Sequence, residues 1–236
     1  VAIERRTAAP LVRLGILRSA PLVQANLGAM MLVGGWFAFQ FIATLYMQQL
    51  RGWSPLETGL AIFPGGLLVA LLAPRIAPLV MRFGIRPLIT AGLASTAIGY
   101  ALFLPIGLDS AYATAIFPTM IFAGLGFALA YGPLNIAATN GVAPEEQGLA
   151  SGLVNTSFQV GGALVLAVAT AVATANTGAD GSSQALLDGF QAAVAVSVIA
   201  ATLGVVVTAV RLRSRIPAPA AELPPAVEPE VEAEAA

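Results

Sequence analysis

The sequence predicts an all-α integral membrane protein, a six-helix bundle with no soluble domain, and three observations carry that reading. Hydrophobic residues make up 58% of the 236 positions and charged residues only 10%, a balance typical of a chain dissolved in lipid. Apolar runs of about 20 residues, the length at which a helix crosses a hydrocarbon core, recur six times. Most of the 11 basic residues, all arginine, fall in three places: Arg5/Arg6/Arg13/Arg18, Arg82/Arg86 and Arg211/Arg213/Arg215. Even numbers of runs separate these places, which returns the chain to one face of the membrane, and clustered arginine marks the cytoplasmic face.

The runs lie at 21–47, 56–80, 87–107, 111–138, 148–173 and 187–210. Residues 1–20 precede them as a basic cytoplasmic amphipathic or linker segment. A short connector from Gln48 to Pro55 follows the first run and carries Arg51, the one arginine assigned to the outside. The second run closes on Arg75 and on the loop Met81-Arg82-Phe83-Gly84-Ile85-Arg86-Pro87, where Arg82, Gly84 and Arg86 make a tight cytoplasmic turn. Gly107 to Ser110 joins the third run to the fourth. The fourth contains Gly124-x-Gly126 and Tyr131-Gly132-Pro133; proline lacks an amide donor, so Gly132 and Pro133 mark a hinge or a static kink. Pro144 and Glu145/Glu146 suit the first turn of the next helix.

The fifth run carries Gly148, Gly152, Gly161 and Gly162, and then Ala163, Ala167, Ala171 and Ala175 at four-residue spacing. This small face is expected to pack closely against a neighbour. A polar connector at 174–186 leads to the sixth run. The bundle is thus 21–212. Residues 213–236 are rich in Pro, Ala and Glu and cannot bury enough apolar surface to fold, so a disordered acidic cytoplasmic tail is expected. Tyr46, Tyr100, Trp53 and Tyr112 fall near run ends, where amphipathic rings anchor at the membrane interface.

Cysteine and histidine are both absent, which excludes disulfides, zinc sites, Cys or His nucleophile pairs and imidazole proton relays. No enzyme, metal, cofactor or nucleic-acid partner is expected. The partner is the lipid bilayer, and function must sit between helices. Candidates there are the neutral polar and aromatic groups of the runs. Asn155 and Gln159 are four apart on one helix side, and an amide cannot be left in lipid. They are either interhelical glue or the lining of a cavity. Trp36 and Gln40 in the first run, with Asn135 in the fourth, suit a cavity for bulky amphipathic ligands. No acid lies deep in a run: Glu57, Asp109 and Asp188 sit at ends.

Two stretches resemble a known family. Arg82-x-Gly84-x-Arg86 looks like the degenerate C-terminal copy of the major facilitator superfamily loop, with Met81 and Pro87 at positions where the full pattern has an acid and a base. Gln147-Gly-Leu-Ala-Ser-Gly152-Leu-Val-Asn155-Thr-Ser-Phe-Gln159-Val-Gly161-Gly162 is similar to the penultimate helix of the fourteen-span drug efflux branch, the EmrB/QacA type. With Tyr131-Gly132-Pro133-Leu-Asn135 and Pro144-Glu-Glu-Gln-Gly148, the likeness covers residues 10–212. It implies the C-terminal half of such a transporter, built as a 3+3 inverted repeat, with Arg82 and Arg86 at a cytoplasmic gate. It further implies a fragment whose N-terminal half is missing and holds the proton-coupling acid.

The sequence therefore reads as half of a drug or small-molecule efflux antiporter in the plasma membrane, both termini cytoplasmic, carrying a small amphipathic substrate by alternating access against protons. The alternative is a self-sufficient six-span protein acting as a homodimeric carrier, a channel or a structural subunit.

Overall fold

The computed structural model describes residues 19–140, 142–178 and 181–211. The N-terminal basic segment, Arg213, Arg215 and the acidic tail lie outside them. Helices α1 (Ala20–Leu45), α2 (Pro55–Leu72), α3 (Ile76–Phe83), α4 (Ile85–Phe103), α5 (Phe117–Thr139), α6 (Gln147–Asn176) and α7 (Ser183–Arg211) account for nearly all of the described chain. They assemble into six helical rods long and apolar enough to cross a membrane, and no strand occurs among the described residues.

Rod boundaries fall within a few residues of the apolar runs, and the differences have local causes. The first rod continues past α1 as a π-helical turn at Tyr46–Leu50, and a second π turn, Tyr112–Ile116, leads into α5. Pro74 cannot donate to the carbonyl four residues back, so the second rod tightens into a 3-10 turn at Ala73–Arg75 before continuing as α3. Arg75 Nη1 donates to the Leu71 carbonyl one turn back (2.8 Å). The polar connector expected at 174–186 is shorter than that: α6 runs to Asn176 and α7 starts at Ser183. Side chains help the polar ends stay helical, with Asn176 Nδ2 donating to the Val172 carbonyl and Gln184 Nε2 to Asp188.

Gly84 alone joins α3 to α4, at φ 85° and ψ 165°, a conformation essentially closed to residues with a Cβ. Arg82 and Arg86 flank it, both exposed, and the Arg82 guanidinium lies 5.1 Å from the Phe83 ring centroid. Gly84→Ala should cost about 1–3 kcal/mol through that strain, read as a lowered thermal midpoint in detergent; an unchanged midpoint would show that the corner can re-form with negative φ.

Contacts between helices divide the bundle as three plus three. α1 packs on α6 and α7; correspondingly, α5 packs on α2 and α4, while α1 meets α5 and α4 meets α7. Each unit's first helix thus grips the other unit's second and third. An odd number of spans per unit places the two units in opposite sense across the membrane, the inverted-repeat arrangement. The row α6, α1, α5, α2 forms one layer, and α4 and α7 lie behind it.

Lipid gives apolar side chains little reason to leave it, so helix association depends on close packing. Gly124 and Gly126, two residues apart, point to opposite sides of α5. A Cβ on Gly124 would lie 2.7 Å from the Gly65 Cα of α2, and one on Gly126 would lie 2.6 Å from the Thr96 amide of α4. The pair lets α5 be clamped between two helices at one level. Toward the Arg51 end the core is aromatic, Phe39 stacking on Tyr100 (4.6 Å) and meeting Phe103 edge-on (5.3 Å). Tyr46 and Tyr100, expected at the interface, are instead fully buried in this cluster. Aromatic shape matched across α1 and α4 draws them inward, and the Tyr46 hydroxyl donates to the Gly107 carbonyl (2.6 Å).

Candidate functional site

The small face of α6 divides in two. Gly161 meets the Met30 backbone of α1 and Gly162 the Phe37 ring, so these two glycines do seat α6 on α1. Gly148 and Gly152 meet nothing within 4 Å, and Ala163, Ala167, Ala171 and Ala175 are exposed. Of the expected small face, Gly161 and Gly162 meet a neighbour among the described residues, and the other positions stay open. At 100° per residue, Gly148 and Gly152 fall with Asn155 and Gln159 on one sector; Gly161 lies well round from it toward α1, and Gly162 borders it against Phe37.

Asn155 and Gln159 are both exposed. Asn155 Nδ2 donates to the Ser151 carbonyl of its own helix (3.1 Å), and Gln159 makes no hydrogen bond among the described residues. Neither joins two helices of this chain. That role falls instead to Asn26 of α1, whose Oδ1 accepts from the Ser157 hydroxyl of α6 (2.7 Å) while its Nδ2 donates to the Leu22 carbonyl.

Beside the amides runs a ladder of rings that crosses three helices. Trp36 of α1 lies 4.9 Å from Phe127 of α5; Phe127 stacks on Tyr131 (5.2 Å), and Tyr131 stacks on Phe158 of α6 (5.0 Å, 19° between planes). Tyr131 remains 40% exposed, so the ladder reaches the surface of the α6, α1, α5, α2 layer. Every predicted polar candidate sits within a turn of one of its rungs. Gln40 follows Trp36 on α1, Asn135 follows Tyr131 on α5, and Asn155 and Gln159 bracket Phe158 on α6. Asn135 Nδ2 donates to the Tyr131 backbone carbonyl (2.9 Å), which orients the Asn135 amide. Gln40 Oε1 is buried without a hydrogen-bond partner, an acceptor held ready for a donor.

Phe127, Tyr131 and Phe158 were not chosen from sequence as lining residues. The four-residue interval from Phe127 to Tyr131 was a readable signal for two rungs; Phe158 is brought to them only by the packing of α5 and α6. Gly132 and Pro133 lie inside α5, which runs unbroken through the proline. Next to Gly132 a cavity of about 300 Å³ opens between α2/α3 and α5, lined by Val69, Ala73, Ile76, Phe127 and Tyr131 among others. Arg82, Gly84 and Arg86 sit at the α3–α4 corner, on different elements from the ladder. Among the described residues no group of three or more acidic side chains is placed to hold a metal ion.

This face combines aromatic surface, exposed amides and no ionised side chain. Such a surface offers stacking and hydrogen bonding.

Comparison with known proteins agrees with the architecture. The family model of the Major Facilitator Superfamily matches residues 2–166. The chain is 35% identical over 187 residues to the puromycin resistance protein pur8 of Streptomyces alboniger, covering 75% of this chain and 36% of that protein. It is 35% identical over 182 residues to the cephamycin export protein CmcT of Amycolatopsis lactamdurans (75% and 37%). Similarity to the multidrug resistance protein Stp of Mycobacterium tuberculosis is 28% over 173 residues (73% and 32%). The chain spans about a third of the length of these relatives. With its six-helix 3+3 bundle and a family match over more than half of its length, this multi-pass membrane chain belongs to the Major Facilitator Superfamily.

Proposed function

We propose that the chain is the C-terminal half of a drug or small-molecule exporter of the plasma membrane. Its α6, α1, α5, α2 layer forms one wall of a central cavity that rocks against an N-terminal half for alternating access. The observation that carries this reading is the pair of exposed amides, Asn155 and Gln159, beside the ladder from Trp36 to Phe158. Lipid offers an amide no partner, so this sector of α6 faces water, substrate or another protein surface. The unpacked Gly148 and Gly152 on the same sector leave room for an approaching helix. The relatives are named for puromycin resistance, cephamycin export and multidrug resistance, which supports bulky organic molecules as cargo.

Coupling to protons requires a titrating group within the membrane. This chain offers none deep in a described span, so the coupling acid belongs to the N-terminal half, and export is antiport. Both termini are cytoplasmic, Arg82 and Arg86 lie at the cytoplasmic gate, and α5, which is unbroken through Gly132 and Pro133 in this structure, bends there during the cycle.

This chain has no cysteine. In the complete transporter, with any cysteines of its other half replaced, Gln159→Cys should react with a water-soluble maleimide, and excess substrate should slow that reaction. Lipid-facing behaviour, with no reaction until the membrane is dissolved, would end the cavity-wall reading. The chain expressed without its N-terminal half should confer no drug resistance; resistance from it alone would favour a self-sufficient homodimeric carrier.

A further inference from the structure

Behind the layer, where α1 packs on α7 and α4 packs on α7, two hydroxyls differ from their neighbours. Tyr100 of α4 and Ser197 of α7 are both fully buried, and neither hydroxyl bonds to a protein atom among the described residues. Comparable hydroxyls are satisfied. On α7 itself Thr202 and Thr208 donate to the Val198 and Gly204 carbonyls one turn back (2.8 Å each), and the Tyr46 and Tyr112 hydroxyls donate to the Gly107 and Ala61 carbonyls. A buried hydroxyl without a partner is costly. Two on helices packed together call for a shared one.

Gly35 of α1 shows where that partner fits. A Cβ on Gly35 would lie 3.4 Å from Tyr100 Cε2, 3.5 Å from the Ser197 carbonyl oxygen and 3.9 Å from Ala200 Cβ, all ordinary van der Waals separations. Its neighbour Gly34 is different. A Cβ there would lie 2.5 Å from Val165 Cγ2 and 2.6 Å from the Gly161 carbonyl oxygen, so the approach of α6 requires that glycine. Nothing packed on Gly35 requires it. Gly35 is nonetheless buried in the interior of α1, where glycine is less stable than alanine and fills less of the core. The missing methyl leaves room for one water-sized molecule, beside both Tyr100 and Ser197.

We infer that Gly35, Tyr100 and Ser197 form a site for one ordered water molecule. Its partners are the Tyr100 hydroxyl, the Ser197 hydroxyl and the Ser197 carbonyl, and about three polar partners is what a buried water takes. All three are uncharged and the surrounding cluster is apolar, which suits water rather than an ion. The water ties α1, which carries Trp36 and Gln40, to the two helices behind it. This site lies on different residues from the ladder and stands or falls independently of the proposed transport role.

Substitutions in the full chain test it, read as the thermal midpoint in detergent. Tyr100→Phe and Ser197→Ala should each lower the midpoint by about 2–4 °C, and the double variant by little more than either, because the first change already breaks the bridge. Gly35→Ala should lower it too, since the methyl takes the place of the water and leaves both hydroxyls unpaired. Dry hydroxyls would reverse the sign: all three changes would raise the midpoint, by removing an unpaired polar group or by adding a methyl to a helix. A direct bond between the two hydroxyls would make the first two variants lose stability and Gly35→Ala gain it. Either pattern overturns the inference. Infrared spectra read the water itself: a water O–H stretching band that moves in heavy-oxygen water should be present in the chain and missing from Gly35→Ala. Should that variant fail to fold, Ser197→Ala serves as the comparison, and the same band in both spectra or in neither would overturn the inference.

Discussion

Gly126→Ala should destabilise the bundle by about 3 kcal/mol, the upper range for overpacking a tight core. The added methyl would lie 2.5 Å from Thr96 Cγ2 and 2.6 Å from the Thr96 amide. Backbone cannot swing aside as a long side chain can, so α5 and α4 must separate. Separation also loosens α2, because Gly124 holds α5 against Gly65 at the same level. The measurement is thermal unfolding of the purified chain in detergent, with Gly148→Ala and Gly152→Ala as controls. Both of those glycines are helical and open to space, so alanine there should be neutral or stabilising by up to about 1 kcal/mol through helix propensity. Equal losses at Gly126 and Gly152 would contradict the packing assigned to α5.

The second large effect is expected at Tyr131. It is the middle of the ladder, stacked on Phe127 and on Phe158, and it is the rung most open to a ligand. Aromatic pairs contribute about 0.5–1.5 kcal/mol each beyond their area, so losing one substrate stack at this position should weaken binding about tenfold. In the complete transporter, Tyr131→Ala should raise the substrate concentration for half-maximal export by about that factor, while Tyr131→Phe should keep most of the activity. Asn155→Ala and Gln159→Ala should lower export yet leave stability within about 0.5 kcal/mol, as for exposed positions, since neither amide bonds to a second helix. Large losses of folded yield with export per molecule unchanged would instead make these groups structural.

How the structure distributes these roles explains what could be read beforehand. The amides could be placed on one side of α6 because a helix repeats every 3.6 residues, whatever packs around it. Whether that side met another helix of the chain depended on where α1 lay. Gly161 and Gly162 turned out to sit on α1, and Gly148 and Gly152, a few turns earlier in the same small-residue pattern, did not. Spacing alone cannot separate these cases, because a glycine that admits a neighbour and one that merely leaves a gap have the same sequence signature. Tyr100 shows the same limit: the end of an apolar run predicts an interface ring, and only the positions of Phe39 and Phe103 make it a core residue.

The sequence by itself determined the solvent, the number of spans, their approximate ends and the absence of imidazole and thiol chemistry. These follow from composition and from periodicity along one chain, where backbone hydrogen bonding in lipid leaves a helix few alternatives. The tertiary structure decided the exchange of partners between the two three-helix units, the ladder from Trp36 to Phe158 and the meeting of Tyr100 and Ser197 at Gly35. Each of those joins residues that are distant in sequence, and such contacts are set by the fit of helix surfaces against one another, a property of shape in three dimensions that no local pattern encodes.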